Sequence, residues 1–349
     1  MEKISTVGLD IAKQVFQVHG IDASGSVVVR RKLRRDDVAS FFEGLPPCLI
    51  GIEACATGHH WARQLMAFGH EVRLMPASYV KPYVKRQKND ATDAEAICEA
   101  VTRPTMRFVP VKSAEQQSVL MLHRARDLLV RQRTQLTNAL RAHLAELGLV
   151  AEKGREGLHQ LAAVVTECGN ERLPSDARFA CQAIVTQLNA VQIEISGLDK
   201  RIAQTHRANA DSKRLETIPG FGVILSTAVV ATMTDPKAFK TGREFAAWIG
   251  LVPRQNSTGG KERLGSITKQ GDRYLRRLLV VGATSVINSA RARPYKYPWV
   301  IELLGRRPTK VVAVALANKM ARIAWAVLAK GERYRAPTRS SNAVVPAAA

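Results

Sequence analysis

The chain has few acidic and few aromatic residues for its size. Its 349 residues include 30 Asp and Glu against 52 Lys and Arg, so the formal net charge at pH 7 is +22. A surplus of cations of this size favours a polyanionic partner such as nucleic acid. Phe, Trp and Tyr together make up only 5% of the residues. We therefore expect phosphate contacts, and not stacking on bases, to dominate binding.

Paired cysteines and long apolar runs are also missing. No Cys-x-x-Cys pair occurs among the five cysteines, which argues against a disulfide framework and against a zinc site. The longest apolar runs fall far short of the roughly 18 residues of a transmembrane helix, and the segment 1–4 lacks the apolar core of a signal peptide. These absences predict a cytoplasmic protein in a reducing compartment, with no membrane partner.

The first third of the chain reads as α/β. Three apolar, β-rich runs follow one another closely, as in hairpins, and the later runs are separated by helical stretches near 58–69 and 90–101. The six runs are Ile4–Leu9, Val15–His19, Val27–Arg31, Leu49–Glu53, Val72–Met75 and Arg107–Val111. Three hairpin strands followed by β-α-β predict a ribonuclease H-like domain over residues 1–112.

The middle of the chain, residues 113–212, reads as helical. Leu122, Leu129 and Leu136 recur every seven residues and predict one long helix over 113–150. Glycines at 148, 154 and 157 predict a loop, and a second helix with a coiled-coil seam is predicted from about Asp176 to His206. The two helices could form an intramolecular hairpin or a dimerising coiled coil, and the pattern does not choose between them.

The last part divides into a compact, mostly helical domain at 213–335 and a tail at 336–349. The domain ends in an Ala- and Val-rich helix predicted from Thr309 to Lys330. The tail is small, polar and Pro-containing, which predicts disorder.

Four carboxylates stand where two strands end and a helix begins. Asp10 ends the first strand, Glu53 ends the fourth, and Asp90 and Asp93 lie three apart at the start of the helix, so both can face one side. Carboxylates in such buried positions are costly unless they are paired or bind a metal, and Mg²⁺ prefers hard oxygen ligands of this kind. Taken singly, Asp90 could be a helix cap and Asp93 a complement to the helix dipole. Together the four favour metal-dependent phosphoryl chemistry on nucleic acid.

A hydroxyl-rich and cation-rich segment follows in the last domain. Ser257 lies beside Thr258 and two glycines, and a serine hydroxyl can attack a phosphodiester and hold the DNA end covalently. Thr258 and Ser266 are competing hydroxyls, and such loops are also common as plain turns. Upstream, the stretch with Gly220 and Gly222 resembles a helix-hairpin-helix turn, whose backbone N–H groups would face a phosphate. The cations predicted to hold nucleic-acid backbones are Arg124, Arg131, Lys261, Arg263, Lys269, Arg273, Arg276 and Arg277.

The order and spacing of these motifs resemble a known family. The segments that carry the likeness are Val7–Lys13, Gly51–Ala54, Lys88–Ala94, Ile218–Gly222 and Gly250–Lys261. In them the chain resembles the DEDD-type insertion-sequence transposases, the bridge-RNA-guided recombinases related to the pilin-gene invertase. The resemblance implies a RuvC-like nuclease domain, a coiled-coil linker and a C-terminal transposase domain.

The resemblance also implies roles and partners. Asp10, Glu53, Asp90 and Asp93 match the metal-binding tetrad for Mg²⁺ or Mn²⁺, and Ser257 matches the essential serine, with Thr258 as the alternative register. The implied partners are donor and target DNA, an element-encoded noncoding guide RNA, and further copies of the chain in a dimer or a dimer of dimers. The implied location is the bacterial nucleoid.

Three other functions compete with this one. The first is a Holliday-junction resolvase that uses the same carboxylates with water as the nucleophile. The second is a binder without activity on a degenerate nuclease fold, against which the intact carboxylates argue. The third is a sugar-kinase-like or actin-like ATPase, which is disfavoured by the charge of +22 and by the lack of a glycine-rich adenosine-binding segment.

Overall fold

The computed structural model describes residues 4–85, 90–167 and 172–336, with the backbone but not the side chain of Asp90 included. Contacts within the chain divide it into an N-terminal unit, residues 1–117, and a C-terminal unit, residues 118–349. The further division of the C-terminal unit into a linker and a transposase domain stays a prediction. The predicted disordered tail falls, after Ala336, outside the described residues, as does Cys168. The other four cysteines are free thiols.

A five-stranded mixed sheet forms the centre of the N-terminal unit. Its spatial order is β3-β2-β1-β4-β5, in which β1 to β3 pair antiparallel while β4 and β5 continue the sheet parallel to β1. The strands are β1 (Thr6–Ile11), β2 (Val15–Ile21), β3 (Val27–Arg34), β4 (Leu49–Glu53) and β5 (Glu71–Met75). The predicted order of three hairpin strands and then β-α-β is therefore confirmed.

The prediction of a sixth strand at Arg107–Val111 is wrong. Within it only Val109 bridges to the sheet, at Leu74 of β5. Pro110 follows directly and has no N–H to donate, so the ladder does not extend beyond this bridge.

Helices cover both faces of this sheet. The side chains of Leu9 and Ile52 pack on one face against Phe42 and Trp61, in a single apolar cluster. Ile97 and Val101 pack on the other face with Met75. The helices are α1 (Val38–Glu43), α2 (Gly58–Ala67), α3 (Ala77–Val80) and α4 (Asp90–Val101).

Two long helices open the C-terminal part of the chain and lie antiparallel. The helix α5 (Ala114–Glu146) begins in the N-terminal unit and continues into the C-terminal one, and α7 (Ser175–Ala208) returns beside it. Arg126 pairs with Asp199, and Arg133 donates to Gln192 at 2.8 Å, so contacts run in opposite directions along the two helices. Within this chain the intramolecular hairpin is the arrangement observed, and a dimerising coiled coil stays a prediction.

A helix, α6 (Arg155–Thr166), stands where a loop was predicted. Gly154 precedes it with φ of 109°, a backbone conformation that favours glycine. Leu158, Leu161 and Val165 then repeat at helical spacing and pack against α5 and α7. The loop prediction was wrong because it gave the glycines more weight than this period.

The rest of the C-terminal unit is helical apart from one hairpin, and it shares one apolar core. Its last helix runs from Thr309 to Lys330, as predicted. The elements are α8 (Ala210–Glu216), α9 (Val223–Thr232), α10 (Gly242–Trp248), β6 (Pro253–Gln255), β7 (Leu264–Ile267), α11 (Arg273–Ala292), α12 (Pro298–Arg306) and α13 (Thr309–Lys330).

By length and composition, α13 could span a membrane, although the sequence predicts no transmembrane helix. Its apolar side chains, such as Val312, Leu316 and Met320, are buried in the core of the C-terminal unit. Packing inside the protein therefore accounts for these apolar side chains.

Candidate active site

The paired strands β1 and β4 each carry the pattern Gly-apolar-acid near the carboxyl end. Glu53 is the last residue of β4, as predicted, whereas β1 continues one residue beyond Asp10 to Ile11, which still pairs with Phe16. Gly8 lies opposite Gly51 and Leu9 opposite Ile52, so the next residues along the two strands are Asp10 and Glu53. Neighbouring strands are about 4.8 Å apart, and residues at equal register point to the same face. The two carboxylates therefore lie side by side, on the face that carries the two glycines.

The helix α4 lies against this face because the glycines have no side chains. A Cβ atom at Gly8 would overlap the carbonyl oxygen of Ala94 and the backbone nitrogen of Cys98. A Cβ at Gly51 would lie 2.8 Å from Cβ of Val101. The glycine pair thus sets the distance between α4 and the sheet, and α4 carries Asp93 in its first turn.

Electrostatics link the strand acids to the helix. Burial raises the pKa of Glu53, and the negative charge of nearby Asp93 raises it further. Asp10 and Asp93 are half-buried. Asp90 begins α4, and its side chain lies outside the description.

The donor set fits a hard divalent cation. Side-chain oxygens are the ligands that Mg²⁺ and Mn²⁺ prefer, and a bound cation would relieve the repulsion between Glu53 and Asp93. In the described part of the chain, no three His, Cys, Asp or Glu side chains are gathered closely enough to hold a metal ion. The structure therefore places Asp10 and Glu53 on neighbouring strands and Asp93 within electrostatic reach of Glu53, without forming a closed metal cage.

The predicted serine lies on an exposed β-hairpin in the C-terminal unit. Thr258 and Lys261 exchange two backbone hydrogen bonds around Gly259 and Gly260. These glycines have φ of 55° and 76°, which a type I′ turn requires at both positions. Ser257 precedes the turn, and its Oγ accepts a hydrogen bond from the backbone N–H of Arg263 at 3.2 Å. Like Ser257, the competing Thr258 and Ser266 are exposed.

The base of this hairpin is held by a cation that we had predicted to contact nucleic acid. Nη1 of Arg276 donates to the carbonyl oxygens of Ile249 and Gln270 at 2.6 and 2.7 Å. Lys269 adopts φ of 57° there, and Gly271 packs directly on the carbonyl of Trp248. Arg276 therefore has a structural role at the base of the hairpin. Its position in a run of cations in the sequence gives no indication of this role.

The helix-hairpin-helix-like stretch connects α8 and α9. Gly220 has φ of 85° and packs so closely on Gly282 that a Cβ would lie 2.7 Å from the Gly282 carbonyl oxygen. Gly222 precedes α9, and a Cβ there would meet no atom within 4 Å. Gly220 therefore allows the turn to pack closely against the core. Gly222 leaves unoccupied space beside the start of α9.

The remaining predicted cations are exposed, and two of them share an acidic partner. Arg131 and Arg277 both pair with Asp127, and Arg277 also lies over the ring of Tyr274. The exposed cations without a side-chain partner among the described residues are Arg124, Lys261, Arg263, Lys269 and Arg273.

Sequence reasoning missed a buried polar cluster in the C-terminal unit. His123 on α5 is 1% exposed, and its two ring nitrogens lie 3.0 Å from the hydroxyls of Tyr274 and Thr227. Burial, assisted by the charge of Arg126, lowers the pKa of His123 to about 4. The only signal in the sequence was the position of His123 on the apolar side of a long helix. Its partners lie 104 and 151 residues away in sequence and gave no signal.

Comparison with known families identifies the class of protein as a transposase of the DEDD type. Residues 7–148 match the family model for the DEDD transposase of IS110, and residues 212–297 match a model described as transposase, IS116/IS110/IS902 family. The chain belongs to this family of insertion-sequence transposases.

Relatives match over nearly the whole chain. A probable family 20 transposase of Pseudomonas aeruginosa is 50% identical over 95% of this chain and 99% of its own length. The transposase for insertion sequence element IS1328 of Yersinia enterocolitica is 37% identical over 95% of this chain and 98% of its own. A pilin gene-inverting protein of Moraxella bovis is 22% identical over 80% of each chain.

Proposed function

We propose that this transposase cuts and rejoins DNA with Asp10, Glu53, Asp90 and Asp93 as ligands of Mg²⁺ or Mn²⁺ and Ser257 as the nucleophile. The observation that carries the proposal is the register of the two Gly-apolar-acid strands beneath α4. This register supports the proposal because Asp10 and Glu53 follow equivalent positions on neighbouring strands and the charge of Asp93 on α4 acts on Glu53. Membership of a DNA-transposing family supplies the substrate.

The chemistry is a pair of transesterifications. A bound divalent cation would polarise the phosphodiester and offset the charge of the carboxylates. Oγ of Ser257 forms a bond to phosphorus while one sugar oxygen leaves; the hydroxyl proton passes to a base and the sugar oxygen gains a proton. A sugar hydroxyl of a second strand then displaces the serine by the reverse step, which rejoins the DNA. The Ser257 residue is exposed, and the neighbouring Lys261 and Arg263 would offset the charge of a phosphate bound there.

We also infer that a noncoding RNA of the element selects the sites. A chain with a net charge of +22 and 5% aromatic residues is suited to holding backbones, and base pairing by a guide can supply the sequence specificity. Two exposed apolar side chains, Phe179 and Ile193, support the inference that the protein assembles into a dimer or a dimer of dimers. These side chains are 81% and 70% exposed, two heptads apart on α7.

Capture of the covalent intermediate tests the proposal. DNA carrying the joined element ends is incubated with protein and guide RNA, and adducts are separated on a denaturing gel. We expect Ser257→Ala to abolish the adduct and Thr258→Ala and Ser266→Ala to retain it. Asp10→Asn should reduce adduct formation by more than the roughly 10–100-fold that loss of a metal's outer-shell partner costs.

Three outcomes would contradict the proposal. An undiminished adduct in Ser257→Ala would assign the nucleophile elsewhere. Strand cleavage by the parent with no adduct would indicate water attack, as in a junction resolvase. Full activity of Asp10→Asn would exclude a role of the tetrad. Thermal unfolding of each variant separates loss of chemistry from loss of fold.

A further inference from the structure

The outer strands of the sheet carry cations on the same face as the carboxylates. Asp10 of β1 lies opposite Gln17 of β2, and Gln17 lies opposite Lys32 of β3. In the neighbouring row of paired residues across the three strands, Gly8 lies opposite His19, and His19 lies opposite Arg30. Because side chains at paired positions share a face, the row that begins at the acid ends in a cation at the sheet edge.

A cleft opens between these outer strands and the start of α4. It has a volume of about 150 Å³ and is lined by Gln17, Val18, His19, Arg30, Arg31, Lys32 and Ala91. Ala91 lies in the first turn of α4, next to the predicted ligand Asp90. The cleft therefore adjoins the acid cluster and has the two cations on its outer side.

The positive charge of this cleft is only partly offset: the charge of Arg30 helps to lower the pKa of Glu95, but the two do not form an ion pair. Among the described residues, neither Arg30 nor Lys32 forms an ion pair or a side-chain hydrogen bond. Glu95 of α4 is close enough for its charge to act on His19, but it forms an ion pair with Lys85 at 2.5 Å. The adjacent Arg31 points to the opposite face and lies over the ring of Phe41, 5.5 Å from its centre.

We propose that this cleft seats the backbone of the DNA strand being cut, with phosphates beside the scissile one held by Lys32 and Arg30. The inference rests on the proposed function, since it takes the acid cluster as the place of cutting. Lys32 is two strand spacings from Asp10, about 10 Å, or about three nucleotide steps of a stacked strand at roughly 3.4 Å each. Both cations suit phosphate oxygens, and the Gln17 amide between them and Asp10 can donate to a phosphate. A strand that enters the acid cluster from the sheet edge must cross this row.

Binding of a single-stranded DNA oligonucleotide at a series of salt concentrations measures these contacts. Each phosphate contact adds about 0.7 to the slope of log affinity against log salt for a single strand. Arg30→Gln/Lys32→Gln should therefore lower the slope by about 1.4. Arg31→Gln, on the same strand but the opposite face, should leave the slope unchanged. Arg30→Lys/Lys32→Arg should keep the slope of the parent.

Crosslinking distinguishes the DNA strand from the guide RNA. We expect p-benzoylphenylalanine at position 32 to crosslink the cut strand in the assembled complex, and the same group at position 31 to give little product. An unchanged salt slope in the double variant, or crosslinks to RNA alone, would overturn the proposal. Asp10→Asn should keep the full slope while it loses strand exchange, so failure of the cleft and failure of the proposed chemistry are separable.

Discussion

At the residue scale, two glycines decide whether the acid cluster forms. Gly8 and Gly51 face each other across β1 and β4, and the backbone and side chains of α4 occupy the space that their side chains would take. A glycine in a strand normally weakens it, so its presence here indicates close approach of another element. The carboxylates two residues further on depend on this approach for the position of Asp93.

Gly8→Val should separate the helix from the sheet. The new side chain would overlap Ala94 and Cys98 backbone atoms, which cannot rotate aside, so α4 must shift and move Asp93 away from Glu53. We expect the free energy of unfolding to fall by about 1–3 kcal/mol and strand exchange to fall by about 10-fold or more. Gly20→Ala is the control, because its Cβ would make an ordinary 3.4 Å contact with Val29. Parental activity in Gly8→Val would contradict this account.

At the scale of elements, the serine hairpin depends on its attachment to α11. Arg276→Gln should remove two hydrogen bonds at the base of the hairpin and leave two carbonyl groups without their donor. Hydrogen bonds from charged donors contribute about 1.5–3 kcal/mol each. We therefore expect faster trypsin cleavage at Arg254 and Arg263 and less serine adduct. Arg273→Gln, an exposed neighbour on the same helix, should leave the cleavage rate unchanged.

The same variant separates the two roles considered for Arg276. If Arg276 holds a phosphate and not the hairpin, Arg276→Gln should lower the salt dependence of DNA binding with no change in proteolysis. That result would restore the prediction made from sequence and refute the structural role.

Elements were predictable where the pattern is local. The order of the first five strands and the bounds of α13 follow from runs of apolar residues, which the chain carries regardless of its partners. The helix α6 was missed because one glycine precedes it and another lies in its first turn. The strand predicted around Val109 was wrong because an apolar run does not show that only one residue bridges to the sheet. The approach of α4 to Gly8 depends on long-range register, which a single sequence does not display.

At the scale of the whole molecule, burial of His123 predicts acid sensitivity of the C-terminal unit. The pKa of His123 is about 4 in the fold, against 6.5 for the free side chain. The unfolded chain therefore takes up the proton first, so stability is full above about pH 7 and falls as the pH drops from 6.5 towards 4. The loss should reach on the order of 3 kcal/mol.

Urea unfolding at pH 7.5, 5.5 and 4.5 measures this loss. His123→Gln keeps hydrogen-bonding capacity but does not titrate, so its stability should depend less on pH than that of the parent. Equal pH dependence in the two proteins would show that other groups cause the acid sensitivity.

The residues of the candidate site could be predicted from the sequence, but their arrangement in space could not. Asp10, Glu53, Asp93 and Ser257 could be named because each follows a recognisable local pattern. The cations were harder to interpret, since Arg276 and Arg277 occur in one run of sequence yet contact a hairpin base and Asp127. A run of charges gives the sign of a surface, whereas tertiary packing decides which charges stay open to solvent.

The division of the chain has a consequence for the safety of the host genome. The carboxylates belong to residues 1–117 and the candidate nucleophile to residues 118–349. Under the proposed mechanism, a premature stop or frameshift between them leaves a product that lacks one half of the chemistry. Decayed copies of the element would then encode inert fragments and not unregulated nucleases.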